Sequence, residues 1–259
     1  MPFPNVPEKY QGRAVLSPQD MLAYRQQAGM LPKGPGPRAV ILCLQRGLSE
    51  RMARAHPLKK FGRMNGDLFT LKETKGEVAV LTNFGLGAPQ MAGLAEEFIA
   101  WGVKQLVSIS MCGGLQPDLK SGDIIVCNRS IRDEGTSHHY LPDSKFVEAN
   151  PELVKKLAAA LALTGASSKI GATWTTDATY RETDVEIEQY ASEGVLSVEM
   201  ETAALFAVAQ VRNVPAASVF VVGDSLAGGR WQQPTDFKLL DRKFDEVYQA
   251  VSQTLGIYP

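Results

Sequence analysis

Apolar runs alternate with segments of helical length from residue 39 onward. Four runs rich in aliphatic and β-branched residues predict strands, and they lie at 39–44, 105–110, 123–131 and 169–176. A fifth run, SVFVVG, predicts a strand that ends just before Asp224. Stretches of ten or more residues predict helices at 89–101, at 151–163 and directly after Glu201. Two shorter runs, 67–72 and 77–82, indicate a β-hairpin. This alternation predicts one α/β domain with a mostly parallel or mixed sheet.

The first 36 residues form a different kind of segment. They are polar and rich in proline, and they include the run PKGPGP. Within them, Ser17 followed by Pro18 predicts a short helix that reaches Gln27, because serine caps helix N-termini and proline fits the first helical position. We therefore divide the chain into an N-terminal arm, 1–36, packed on the surface or on a neighbouring subunit, and a main domain, 37–259.

Composition excludes several classes of protein. The chain has 259 residues, of which 44% are hydrophobic and 21% charged, and its net charge of -1 provides no basic surface for nucleic acid or an anionic membrane. Its three cysteines form no CxxC pair, which argues against a disulfide framework and a zinc site. No stretch approaches the ~18 apolar residues of a membrane span, and the N-terminus lacks a signal pattern. We expect a cytoplasmic protein.

Three carboxylates lie at the edges of two apolar elements near the C-terminus. Glu199 and Glu201 flank Met200 ahead of a helix of small residues, and Asp224 follows a strand. Acidic side chains in such places are costly to desolvate unless they hold something. There are ordinary alternatives: the helix dipole favours glutamates in a first turn, and an aspartate can cap a turn.

Several stretches, taken in order, resemble the nucleoside phosphorylase and nucleosidase superfamily, of the purine nucleoside and uridine phosphorylase type. They cover roughly residues 39–232 and are NFGLGAPQ, SISMCGGLQPDLKSGDIIV, SIRDEGTSHHY, WTTDATYRET, VEMETAALFAVA and VVGDSL. The resemblance implies a central mixed, barrel-like sheet flanked by helices. It also implies a homodimer or a hexamer of dimers, a nucleoside and phosphate as substrates, and neither a metal nor an organic cofactor.

The resemblance assigns the carboxylates to the two ends of a nucleoside. Glu201 would accept hydrogen bonds from the ribose 2′- and 3′-hydroxyls, Met200 would pack on the sugar, and Glu199 would complete the ribose site in a supporting role. Asp224 would protonate or hydrogen-bond a purine base at N7, so that Glu201 and Asp224 are the expected catalytic residues. Carboxylates near the sugar and a proton donor at the base match the charges that develop as an N-glycosidic bond breaks.

Base recognition is assigned to the stretch that follows the predicted strand 169–176. Tyr180 would lie against the base, and Arg181 and Glu182 would read its edge with a donor and an acceptor. The alternatives are a core aromatic and an exposed helix start. Trp174 and Trp231 are interpreted as core or rim packing.

The histidine pair in RDEGTSHHY is the remaining candidate cluster. Adjacent histidines on a strand alternate faces, so His138 and His139 would not both serve one site. We interpret this stretch as a subunit-contact loop or a contact to the ribose 5′ end.

The phosphate site departs from the family's pattern. Where the family places arginines, this chain has Leu48, Ser108 and Asn65, and Met111 replaces a hydroxyl residue. We expect Arg46, the Ser110 hydroxyl and the backbone amides of a glycine loop at Gly113 and Gly114 to bind phosphate instead.

The sequence leaves three hypotheses open. The first is a nucleoside phosphorylase that gives free base and ribose 1-phosphate. The second is a nucleosidase that uses water, with Glu50 the nearest candidate to activate it. The third is a protein that binds nucleosides without turnover, although an acid directed at the leaving base would serve no purpose in a pure binder.

Overall fold

Seven α-helices and ten strands alternate along the chain in the computed structural model, which describes residues 4–55 and 58–256. The helices are α1 (Pro18–Gln27), α2 (Arg46–Ala55), α3 (Ala88–Ala100), α4 (Pro151–Leu163), α5 (Asp184–Ser192), α6 (Thr202–Arg212) and α7 (Phe237–Thr254). The strands are β1 (Ala39–Cys43), β2 (Leu58–Arg63), β3 (Asp67–Leu71), β4 (Val78–Thr82), β5 (Gln105–Gly114), β6 (Ile124–Asp133), β7 (Phe146–Glu148), β8 (Ser168–Thr176), β9 (Ser197–Glu199) and β10 (Ala216–Ser225).

The strands form one mixed sheet, part of which closes on itself. β10 pairs with β6 on one side and β5 on the other, and the order β10-β6-β8-β9-β5 thereby makes a closed ring. β1, β4, β3 and β2 extend the sheet outward from β5. The prediction of a single α/β domain with a mixed, barrel-like sheet is therefore confirmed.

The parallel strands β4, β1, β5 and β10 position the site. They lie side by side, so their carboxyl ends meet at one edge of the sheet. β1 and β4 are buried along their whole length, which explains their continuous apolar sequence. α6 is buried from Thr202 to Ala209, and its small residues allow it to pack closely against the sheet and α3.

Several predicted elements match closely, and three strands, β5, β6 and β10, end later than predicted. α4 has the predicted bounds, and Ser17 caps α1 together with Asp20. β5 continues to Gly114 and β10 to Ser225, because the two strands remain paired with each other over this extra length. His138 and His139 lie in a 3₁₀ turn, Ser137–His139, after β6, so the argument from the alternating faces of a strand does not apply to them.

The N-terminal arm lies on the chain's own α3 and on the loop after β6. Arg25 of α1 forms an ion pair of 3.0 Å with Glu97 of α3, and Leu22 joins the hydrophobic core. Lys9 lies 3.1 Å from the ring nitrogen Nδ1 of His139. Within the described ranges, no helix combines the length and apolarity that a membrane span requires.

Candidate functional site

Glu199, Glu201 and Asp224 lie near one another at the carboxyl end of β5. Gly113 of β5 pairs with Val198 of β9 on one side and with Asp224 of β10 on the other. The Glu199–Glu201 segment and Asp224 therefore flank β5, at a separation of roughly 10 Å if each strand spacing is about 4.8 Å. A ligand lying across the end of β5 meets carboxylates at both of its ends.

Glu201 is held at the N-terminus of α3. Its Oε1 accepts a 2.6 Å hydrogen bond from the backbone N–H of Gly87, which caps α3 with a positive φ of 94°. The side chain is only 6% exposed, and burial raises the pKa of its carboxyl. An N–H at the start of a helix favours an anion. Glu201 is thus fixed beside the end of β5 by an element that lies far from it in sequence.

Glu199 is occupied by contacts within the protein. Its Oε2 accepts hydrogen bonds from the N–H groups of Glu201 (2.9 Å) and Thr202 (2.8 Å) and from the Thr202 hydroxyl (2.7 Å). Its Oε1 accepts one from the Thr175 hydroxyl, which also bonds Ser130. Burial, followed by repulsion from Glu201, raises the pKa of Glu199. These contacts fit the supporting role, because Glu199 organises the start of α6 and the backbone of Glu201.

Removing the Glu199 carboxyl is expected to destabilise the domain. Glu199→Ala leaves two buried N–H groups and two hydroxyls without their acceptor, and we expect a loss of about 3 kcal/mol in the free energy of unfolding. Urea denaturation measures it. Glu199→Gln, which keeps one acceptor oxygen, should lose less, and Glu188→Ala on the exposed face of α5 should match the unchanged protein. Equal stability of all three variants would contradict this role.

The sequence predicted that Asp224 follows the end of its strand. The structure instead places Asp224 within β10, at a β-bulge. The register of β10 against β5 shifts between Val222 and Asp224. The Oδ1 of Asp224 lies close over Gly113, 3.7 Å from the point that a Cβ on that glycine would occupy. Its Oδ2 accepts a 2.6 Å hydrogen bond from Nε1 of Trp231. The bulge turns the carboxylate toward the end of β5.

Glu182 is the second acid at this end of the site. Burial, followed by repulsion from Asp224, raises the pKa of Glu182 to about 7. Carboxyl groups that share a site cannot both ionise easily, so Glu182 retains much of its proton near neutral pH. Its neighbours in sequence are fully open: Tyr180 is 97% exposed and Arg181 is also exposed. Their base-binding roles stay predictions.

The tryptophans separate into two kinds. Trp174 is buried, lies against Tyr190 at a ring distance of 5.0 Å and donates to Asp133, which confirms its interpretation as core. Trp231 is 67% exposed, so of the two interpretations it is a rim and not a core residue, and it also hydrogen-bonds Asp224. Met200 is partly buried between the two glutamates.

The glycine loop expected for phosphate is not a loop. Gly113 and Gly114 lie inside β5 and pair with both β9 and β10. They are glycine because space is short, since a Cβ on Gly113 would lie 2.5 Å from Cδ1 of Leu226. The amide of Gly87, in the second glycine-rich stretch NFGLGAPQ, is bonded to Glu201. An anion nest of free consecutive amides is therefore not the arrangement here, and phosphate binding at these glycines stays a prediction.

The side chains considered for phosphate binding differ in their contacts and in their exposure. Arg46 begins α2, and its side chain lies outside the described part of the structure. Arg51 is paired with two aspartates of α7, at 2.9 Å from Asp245 and with a second ion pair to Asp241. Ser108 is buried against Ser218 at 2.6 Å, so it does not replace an arginine. Ser110 is buried on β5, and Glu50 is exposed on α2.

Sequence reasoning missed the residues that hold the carboxylates. These are the Gly87 amide, Thr175 with Thr202, and Trp231. Each is contributed by a different element. Gly87, Thr175 and Thr202 lie inside the motifs NFGLGAPQ, WTTDATYRET and VEMETAA, which was their only signal, whereas Trp231 lies outside every quoted motif. Among the described residues, no group of three or more histidine, cysteine or acidic side chains is arranged to hold a metal ion.

Comparisons with known proteins identify the family of this chain. The family model of the phosphorylase superfamily matches residues 39–256. The chain is 34% identical over 162 residues to the DeoD-type purine nucleoside phosphorylase of Thermoanaerobacter sp. (strain X514). This alignment covers 60% of this chain and 67% of that protein. The chain is 33% identical over 157 residues to the DeoD-type enzyme of Bacillus mycoides (strain KBAB4), with the same shares.

A solved structure shares the fold. The AMP nucleosidase of Bacteroides thetaiotaomicron superposes with a TM-score of 0.70 and 19% identity, over 85% of this chain and 90% of that one.

Proposed function

This chain belongs to the phosphorylase superfamily, and on that basis we propose that it cleaves the N-glycosidic bond of purine nucleosides with phosphate, giving free base and ribose 1-phosphate. The proposal extends to this chain the activity named for its relatives, which are 34% and 33% identical to it. It rests on one observation above the others: two buried or partly buried carboxylates, Glu201 and Asp224, lie on either side of the end of β5.

The chemistry follows from the charges of the reaction. As the bond between C1′ and the base nitrogen breaks, its electron pair goes to the base and the ribose ring becomes positive. Glu201 holds the ribose hydroxyls and places a carboxylate near that positive ring. Asp224 faces N7 of the purine, and with Glu182 beside it the pair can supply a proton to the departing base. A phosphate oxygen then forms the new bond to C1′.

Hydrolysis by water is the second candidate, and contacts within the chain favour it. Arg51 is bound to Asp241 and Asp245, and Ser108 is bound to Ser218, so neither is open to an anion. Phosphorolysis then depends on Arg46 and Ser110, while hydrolysis needs no cation at all.

The experiment that separates these functions measures free base from inosine, adenosine and uridine, each with and without phosphate, after rigorous removal of phosphate. We expect base release from the purine nucleosides that depends on phosphate and yields ribose 1-phosphate. Release at the same rate without phosphate would establish hydrolysis and direct attention to Glu50. No release from any of them would overturn both candidates in favour of a nucleoside-binding protein.

The remaining expectations follow from the same proposal. We propose a homodimer or a hexamer of dimers, to be measured by light scattering. We propose activity without metal or organic cofactor, which dialysis against a chelator tests.

A further inference from the structure

Trp231 combines two features that are unusual together. Its side chain is 67% exposed, although tryptophan is among the largest apolar side chains. Its Nε1 nevertheless makes a short hydrogen bond of 2.6 Å to Oδ2 of Asp224. A hydrogen bond from an N–H to a carboxylate is stronger than a hydrogen bond between two neutral groups. The ring is therefore held at the mouth of the site by its polar edge and not by burial.

The backbone fixes Trp231 in this place. Ser225 and Gln232 exchange two backbone hydrogen bonds, of 3.0 and 2.8 Å, which close the segment between them into a hairpin loop. Gly228 and Gly229 make its turn with φ of 71° and 69°, values that glycine adopts at little cost. The N–H of Leu226 bonds the carbonyl of Gly114 at 2.8 Å, so the loop is anchored to β5. Trp231 consequently stands beside Asp224 without the help of a ligand.

We propose that Trp231 is a positioning residue for Asp224: its indole N–H holds Oδ2, so that Oδ1 faces the end of β5 where the base would lie. The expected effect on catalysis rests on the proposed function. The hydrogen bond between Trp231 and Asp224 does not depend on it. A base lying over this exposed ring would exclude water from the bond and strengthen it, because a hydrogen bond is stronger in a lower local dielectric.

The first test uses NMR and needs no activity. The chain has three tryptophans, so a ¹⁵N-labelled sample gives three indole N–H signals, and Trp231→Phe identifies the one that disappears. We expect Asp224→Asn to move that signal and leave the other two in place. An unmoved Trp231 signal would overturn the inference whether or not any nucleoside is cleaved.

The second test is kinetic. Trp231→Phe keeps an aromatic ring and removes the N–H, and we expect about a 10-fold loss in kcat with KM nearly unchanged. Trp101→Phe is the matched control, because Trp101 stacks on Phe61 at the far end of α3. A Trp231→Phe enzyme with the kcat of the unchanged protein, or one whose loss is in KM alone, would overturn the inference.

Discussion

Glu201→Gln is expected to lower kcat/KM for inosine by about 100- to 1000-fold. The carboxylate is buried at the end of β5 and oriented by the Gly87 amide, so in the proposed role its charge would act on the ribose with little screening by water. Replacing it by a neutral amide removes that charge and one acceptor for the ribose hydroxyls, and losses of about 3–4 kcal/mol are typical of such electrostatic groups. Initial rates of base release at low nucleoside concentration measure the effect.

A substrate lacking one hydroxyl is the control for this role. With 2′-deoxyinosine, Glu201 has one hydroxyl less to hold, and Glu201→Gln should therefore cost less than it does with inosine. The variant should unfold at the same or a higher temperature, because burial raises the pKa of Glu201 and thus already disfavours its charge. Equal losses on the two substrates would remove Glu201 from the 2′-hydroxyl.

Asp224→Asn is expected to lower kcat for purine nucleosides by about 100-fold, within the range typical of a lost general acid. An amide cannot give N7 a proton, and it also removes the negative charge next to Glu182. The loss should be much smaller with uridine, whose base has no N7. Release of base from inosine and uridine, each measured against the unchanged enzyme, tests this prediction.

A nucleoside methylated at N7 makes the test sharper. Its base already carries the positive charge that protonation would create, so the leaving group needs no acid. We expect Asp224→Asn to cleave 7-methylinosine at nearly the unchanged rate while it is slow on inosine. The same large loss on both would show that Asp224 acts by some means other than protonating the base.

The pattern of residues determined the fold class and most of the elements. Apolar runs of five or six residues that are rich in β-branched side chains are too short for a typical helix and fit strands covered on both faces, which is why β1 and the first part of β5 were predictable from local sequence. Helix bounds marked by caps were predictable too: Asn150 with Pro151 begins α4, and the Asn150 side chain accepts from the N–H of Leu153. The sequence also identified the carboxylates at the site, since VEMETAA and VVGDSL carry them.

Local sequence could not assign the partners of those carboxylates. Glu199 and Glu201 are two residues apart in one motif, yet Thr175 and Thr202 hold one of them and the Gly87 amide holds the other. Gly113 looked like part of a flexible loop, although it is a strand residue between two neighbours.

The cations that follow β1 show the same limit. Arg51 lies in α2 near the predicted phosphate residue Arg46, but it is bound to Asp241, which lies 190 positions further along the chain. A hydrogen bond or ion pair depends on which side chains the closed sheet brings within about 3 Å of each other. The sequence alone therefore determined which elements form and which acidic residues are candidates for the site. The tertiary structure decided which of these acids are already hydrogen-bonded within the protein and which face the candidate site.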